Sequence, residues 1–129
     1  MNTPAHILVV EDDKSLSMAL GSKLTKGQYH VTVVGDGEKG LNSALNIHPD
    51  LIILDLIMPH MGGLEMLKQL RKDQWGVSVP VFLLTNVGNA DKSAAISDDP
   101  STEFLIKSDT SLEDLLSLVE MKLARQSTS

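Results

Sequence analysis

The chain contains no cysteine. Disulfides and thiolate metal centres are excluded, and a reducing cytoplasm is the location that agrees with this. Aromatic residues make up only 3%, so a core must be built from Leu, Ile, Val, Ala and Met. No apolar run approaches the ~18 residues that a membrane span requires, and the N-terminal stretch does not resemble a signal peptide. Lys and Arg form no stripe, and the net charge is −6. Direct binding to nucleic acid or to a membrane is not expected, whereas an acidic domain suits protein partners. There is no internal repeat and no low-complexity block.

What the chain does have is 129 residues with 42% hydrophobic content, enough for one domain with a real core. Five short apolar runs punctuate it, and four end abruptly in a polar residue. Ile7-Leu8-Val9-Val10 leads into Glu11-Asp12-Asp13, and Leu51-Ile52-Ile53-Leu54 into Asp55. Val81-Phe82-Leu83-Leu84 leads into Thr85, and Phe104-Leu105-Ile106 into Lys107. The remaining run, His30–Val34, half alternates, as a less buried strand would.

Stretches with helical spacing lie between the runs. Leu16, Leu20 and Leu24 predict a helix stopped at Lys26-Gly27, with Asp13 as its cap. Leu41, Ala44 and Leu45 predict a second, broken at His48-Pro49 because proline disfavours helix in the residue before it. Leu64, Leu67 and Leu70 predict a third, after the loop Pro59–Gly63. Met58, Met61 and Met66 read as gap-filling apolar residues. Residues 88–100 carry the weakest signal, where Ala90, Ala94, Ala95 and Ile96 suggest a shallow fourth helix. Thr110 with Glu113 reads as a capping box for a fifth, whose stripe is Leu112, Leu115, Leu116, Val119 and Leu123. The polar tail from about Arg125 is expected to fray. The four histidines, His6, His30, His48 and His60, are scattered and form no metal set.

Strands alternating with helices imply βαβ units, an α/β class and a parallel sheet covered on both faces. Right-handed crossovers leave few arrangements. The pattern alone does not choose among them. In one known doubly wound order, 2-1-3-4-5, borrowed from folds of this class that include a chemotaxis receiver, the first and third strands are neighbours, and ligands bind beyond their carboxyl ends. Glu11, Asp12 and Asp55 would then meet and repel, each raising the others' pKa. Such an oxygen-rich site suits Mg²⁺, a hard cation held by one or two carboxylates plus phosphate oxygens. Three carboxylates would be balanced by Mg²⁺ and Lys107, with Thr85 adding a neutral donor. These are the parts that phosphoryl transfer needs, with Asp55 as the nucleophile.

From about His6 to Lys122 the sequence resembles the response-regulator receiver domains of two-component signalling, chemotaxis receivers among them. The resemblance is carried by Val9-Val10-Glu11-Asp12-Asp13, Leu54-Asp55-Leu56-Ile57-Met58-Pro59, Leu84-Thr85 and Phe104-Leu105-Ile106-Lys107. It implies a single flavodoxin-like (βα)5 domain over residues 1–129. It implies Asp55 as phosphoacceptor, Asp12 as direct Mg²⁺ ligand, Glu11 acting through water, and the Ile57 backbone carbonyl completing the protein's share of the shell. Thr85 and Lys107 would bind phosphoryl oxygens, and Phe104 would occupy a switch position. The implied partners are a histidine kinase or histidine phosphotransfer protein, and a downstream protein on the face made by the fourth helix, fifth strand and fifth helix. No catalysis beyond the domain's own phosphorylation and dephosphorylation is implied.

Several positions depart from the family pattern. Ser108 follows Lys107 where many receivers carry a cis-bonded proline. A cis bond there would cost ~3 kcal/mol, so the expectation is a trans or a strained bond. Gly62-Gly63 replaces the more usual Asp-Gly and suggests a looser loop. Ile57 and Val87 are apolar at positions that govern access of hydrolytic water, which predicts a long-lived phosphorylated form. Two other readings compete: a pseudo-receiver that only binds partners, and a Mg²⁺-dependent phosphohydrolase with an aspartyl intermediate. The hydrolase would want a second Asp two residues after the nucleophile, where Ile57 stands.

Overall fold

The computed structural model describes residues 4–86 and 98–127. Five parallel strands form one sheet: β1 (His6–Val10), β2 (His30–Val34), β3 (Leu51–Asp55), β4 (Val81–Thr85) and β5 (Thr102–Ile106). Their order is β2-β1-β3-β4-β5, so β1 and β3 are neighbours as the doubly wound expectation requires. Helices α1 (Lys14–Lys26), α2 (Gly37–Ile47) and α3 (Gly63–Leu70) and a C-terminal helix (Leu112–Ser127) flank the sheet. The predicted fourth helix with Ala90, Ala94, Ala95 and Ile96 lies outside the described residues, as does Val87.

Strand alternation divides the core into two layers. Leu8, Val10, Ile52, Leu54, Val81 and Leu83 face α2 and α3, which contribute Ala44, Met66, Leu67 and Leu70. Ile7, Val9, Leu51, Ile53, Phe82 and Leu84 pack in the other layer with Leu20 and Leu24 of α1 and with Leu115 and Val119 of the C-terminal helix. Every residue of β3 and β4 is buried, which explains runs without polar alternation. β2 is an edge strand and only half-buried.

The helix ends follow local chemistry, with two corrections. Asp13 caps α1 as expected, its Oδ1 accepting from the Leu16 N–H at 3.1 Å. Gly27 ends α1 with an ordinary φ of −77°, and it is Gln28 that turns left-handed at φ 72°. The capping box of the C-terminal helix is shifted by one residue from the predicted pair. Ser111 Oγ accepts from the Asp114 N–H at 3.0 Å, and Asp114 Oδ2 accepts from the Ser111 N–H at 3.1 Å. Glu113 instead pairs with Lys23 of α1 at 3.0 Å. The helix also continues through Arg125 to Ser127, past the point where its composition predicts fraying.

At the edge of the sheet opposite the acidic residues, Arg71 just beyond α3 ties three segments together. Its Nε donates to Asp99 Oδ2 at 2.7 Å, and its Nη2 to Thr102 Oγ1 at 2.8 Å. Its Nη1 donates to the carbonyls of Gly76 at 2.8 Å and Val79 at 2.7 Å. Burial alone would raise the Asp99 pKa, but hydrogen bonds from Arg71, Thr102 and the Ser101 N–H hold it below the usual carboxylate range. The ionised form therefore stabilises the fold above that range, and the contribution is lost as pH falls toward and below it. Arg71→Met should cost about 3 kcal/mol in urea unfolding at pH 7, because it leaves a shielded carboxylate without its counter-charge and removes a donor from two carbonyls. The cost should shrink as Asp99 protonates, and an unchanged urea midpoint would refute the role of this clasp.

Candidate functional site

The carboxyl ends of β1 and β3 deliver the acids. Glu11 follows β1, and its N–H continues the ladder by donating to Val34 O at 3.0 Å. Asp55 closes β3, and the next residue also stays in register, Leu56 N–H donating to Leu84 O at 3.0 Å. The ladder thus fixes where both side chains emerge. One carboxylate oxygen each from Glu11, Asp12 and Asp55 lies within 4.8 Å of the others. Glu11 and Asp55 are buried, while Asp12 is exposed.

Lys107, just beyond β5, reaches across β4 into this group. Its Nζ lies 2.9 Å from Asp55 Oδ1 and 3.3 Å from Glu11 Oε1. The contact with Glu11 is attractive but lacks hydrogen-bond geometry, so Oε1 is fully buried without a hydrogen-bond partner. Glu11 Oε2 accepts from the Asp13 N–H at 3.1 Å. An unpartnered buried carboxylate oxygen beside two further carboxylates is what a hard cation would satisfy. The donor set therefore fits Mg²⁺.

Lys107 begins a 3₁₀ turn, Lys107–Asp109, and no described peptide bond is cis. The Lys107–Ser108 bond is thus trans, and the lysine still reaches Asp55. Thr85 is buried at the end of β4, opposite Ile106, and its hydroxyl donates to Asn86 O at 3.2 Å rather than to an acid. Phe104 stands opposite Leu83 and is half-buried against the core layer of α2 and α3. Ile57, two residues beyond Asp55, is 49% exposed.

The loop after Asp55 is tightly tied, contrary to the looser one that Gly62-Gly63 suggests. The Gly63 N–H donates to Leu56 O at 2.9 Å, and a Cβ there would collide with the Asp55 carbonyl oxygen. The Gly37 N–H at the start of α2 donates to Met61 O, also at 2.9 Å. His60 takes up the turn in the left-handed region at φ 67°, a conformation that histidine tolerates better than branched residues. The need for Gly63 could have been suspected from a glycine at the first turn of a helix that starts beside a strand end.

Electrostatics confirm crowding. Burial raises the Asp55 pKa, Lys107 opposes the rise, and the Asp12 charge adds to it. Burial likewise raises Glu11, with the Asp13 N–H and Lys107 opposing and the Asp55 charge reinforcing. Burial lowers Lys107, but its close ion-pair contacts with the Asp55 and Glu11 carboxylates more than offset this and leave its pKa raised. For a carboxyl with a raised pKa, the stabilising contribution is present below the ordinary value and lost as pH rises through the folded one. At neutral pH the ionised Asp55 therefore opposes folding of the metal-free protein. Asp55→Asn should raise the melting temperature in EDTA at pH 7 by about 2–6 °C, a gain that fades as pH approaches 4. A lower melting temperature for the variant at pH 7 would contradict this reading.

Comparison with known proteins agrees with the geometry. The family model of the response regulator receiver domain matches residues 7–120. The response regulator ArlR of Staphylococcus aureus is 35% identical over 121 residues, covering 94% of this chain and 53% of the relative. The chain thus spans about half the length of the curated relatives it matches. Among solved structures, the chemotaxis response regulator CheY4 of Vibrio cholerae is 28% identical with a TM-score of 0.83, over 93% of this chain and 99% of that one. The receiver domain of a sensor histidine kinase from Pseudomonas aeruginosa, described with magnesium in its active-site cleft, has a TM-score of 0.82 at 23% identity. It covers 95% of this chain and 99% of its own, and at that identity it speaks for the fold alone. With its acids and Lys107 converging at one edge of a 2-1-3-4-5 sheet, the chain belongs to the response regulator receiver domain family of two-component signalling.

Proposed function

We propose that the protein is a phosphorylation-dependent switch that accepts a phosphoryl group on Asp55 from a histidine kinase or histidine phosphotransfer protein. The observation that carries this is the 2.9 Å contact of Lys107 Nζ with Asp55 Oδ1 inside a cluster of three carboxylates. A lone buried carboxylate there would be costly. Paired with an ammonium, it becomes a nucleophile whose product charge is already countered.

In this reading an Asp55 carboxylate oxygen forms the new O–P bond. The P–N bond to the donor imidazole breaks, and its electron pair stays on the ring nitrogen. Asp12, Asp55 and the Ile57 carbonyl would hold Mg²⁺ directly, with Glu11 acting through water. When bound, the cation neutralises charge on the incoming phosphoryl oxygens and on the acids around them. Lys107 exchanges part of its contact with Asp55 for a phosphoryl oxygen, and the Thr85 hydroxyl leaves Asn86 O to donate to another. Thr85 and Phe104 emerge on the same face of neighbouring strands. Movement of Thr85 toward the phosphoryl group would open room that Phe104 can occupy, altering the β5 and C-terminal helix surface offered to a downstream protein. The added charge of about −2 biases this two-state equilibrium.

The competing readings fare less well on particular residues. A phosphohydrolase would need an acid where Ile57 stands, and a pseudo-receiver has no use for a buried Glu11–Asp55–Lys107 set. The domain acts as phosphoacceptor rather than as an enzyme on other substrates.

The test is beryllofluoride with Mg²⁺, which mimics the acyl phosphate. Saturation at about 100 times the dissociation constant should stabilise the protein by about 2.7 kcal/mol, read as a rise in melting temperature, and Asp55→Asn should abolish the rise. No change in the wild-type protein would refute phosphoacceptance. The phosphoryl group should be long-lived, because the apolar, exposed side chain of Ile57, two residues beyond Asp55, cannot orient attacking water. Ile57→Gln should shorten the lifetime severalfold, and a wild-type phosphoryl group lost as fast as in the variant would contradict this.

A further inference from the structure

The segment that aims Lys107 is short. Lys107–Asp109 is a single 3₁₀ turn without a side-chain cap, and Ser108 and Asp109 are exposed. Its trans Lys107–Ser108 bond precedes a serine, so no proline ring stiffens it. Beneath lies an apolar cavity of about 50 Å³ edged by Leu16, Leu20, Leu84 and Leu115, with Lys107 and Thr110 at its rim. Side chains bordering a void lack contacts on that side, so packing leaves the turn room to shift.

Thr110 supplies two hydrogen bonds that close the turn. Its N–H donates to Lys107 O at 3.4 Å, a long and weak bond. Its Oγ1 donates to Ile106 O at 2.9 Å, joining the residue before Lys107 to the residue after the turn. The hydroxyl is available for this because Ser111 and Asp114 make the helix cap instead. Lysine has a long, flexible stem, so its backbone origin decides whether Nζ arrives at 2.9 Å from Asp55 or misses.

We propose that Thr110 is a positioning residue, its hydroxyl closing the loop that carries Lys107 and so fixing the ammonium against Asp55 and Glu11. Its effect on chemistry rests on Asp55 being the phosphoacceptor, whereas its effect on Lys107 does not. Thr110→Val keeps the shape of the side chain and removes only the donor, and Thr110→Ser keeps the donor. Two readouts separate the inference from general stability. One is the ¹⁵N-detected ammonium signal of Lys107, assigned with Lys107→Arg and sharp only when the group is held and shielded from exchange. The other is the rate of phosphorylation by acetyl phosphate with Mg²⁺.

The Val variant should lose the signal and react about three- to tenfold more slowly, the worth of one hydrogen bond. Its Mg²⁺ affinity by calorimetry should stay within about twofold, since Lys107 is not a ligand. The Ser variant should restore both signal and rate. The inference is overturned if wild type shows no held Lys107 signal, if the Val variant keeps the wild-type signal and rate, or if the Ser variant fails as fully as Val. If the signal follows the hydroxyl but neither protein takes up phosphate, the positioning role stands and the Asp55 reading fails.

Discussion

Two buried carboxylates and one exposed one share a sheet edge with the Lys107 ammonium, and among the described residues that imbalance governs the site. Coulomb attraction between Lys107 and Asp55 operates over 2.9 Å, with the lysine side chain 26% exposed and the aspartate 7%. It is enough to hold the lysine in place but not enough to bring the acids to their ordinary pKa. Both Glu11 and Asp55 stay raised, and Glu11 Oε1 stays without a hydrogen bond. The metal-free site is therefore held short of positive charge. In the proposed function, a bound cation and then a phosphoryl group would relieve this tension.

The fold supplies the rigidity that such a site needs. Ladder hydrogen bonds run past the last strand residues at Glu11 and Leu56, so the acids emerge from ordered backbone rather than from free loops. Gly63 lets α3 start directly against the Asp55 carbonyl. The Arg71 clasp closes the opposite edge around β5, leaving the carboxyl edge as the place where side chains can rearrange. Stability and function are thus separated by the length of five-residue strands.

Much of this was legible in the residues themselves. The unbroken apolar runs ending in Asp55 and Thr85 mark fully buried strands whose ends face a ligand edge, and the structure has β3 and β4 buried throughout. The spacing of Leu20, Leu24, Ala44, Leu67, Leu70, Leu115 and Val119 identifies the inner helix faces. The strand order came with the family resemblance, because alternation alone permits more than one doubly wound order. Details decided by competition between adjacent polar groups were not legible. Thr110 and Ser111 are equally good caps, and only the placed backbone shows Ser111 capping and Thr110 turned back to Ile106. Arg71 reads as an ordinary solvated helix-end charge until Asp99 and Thr102, far along the chain, are brought beside it.

The central claim is that this edge delivers a phosphoryl group to one carboxylate and no other. Acyl phosphates are reduced by borohydride to the corresponding alcohol, which converts a phosphorylated aspartate to homoserine. After treatment with acetyl phosphate and Mg²⁺, peptide mapping should find homoserine at position 55 alone. Homoserine at Asp12 or Asp13, or an unmodified Asp55, would contradict the account.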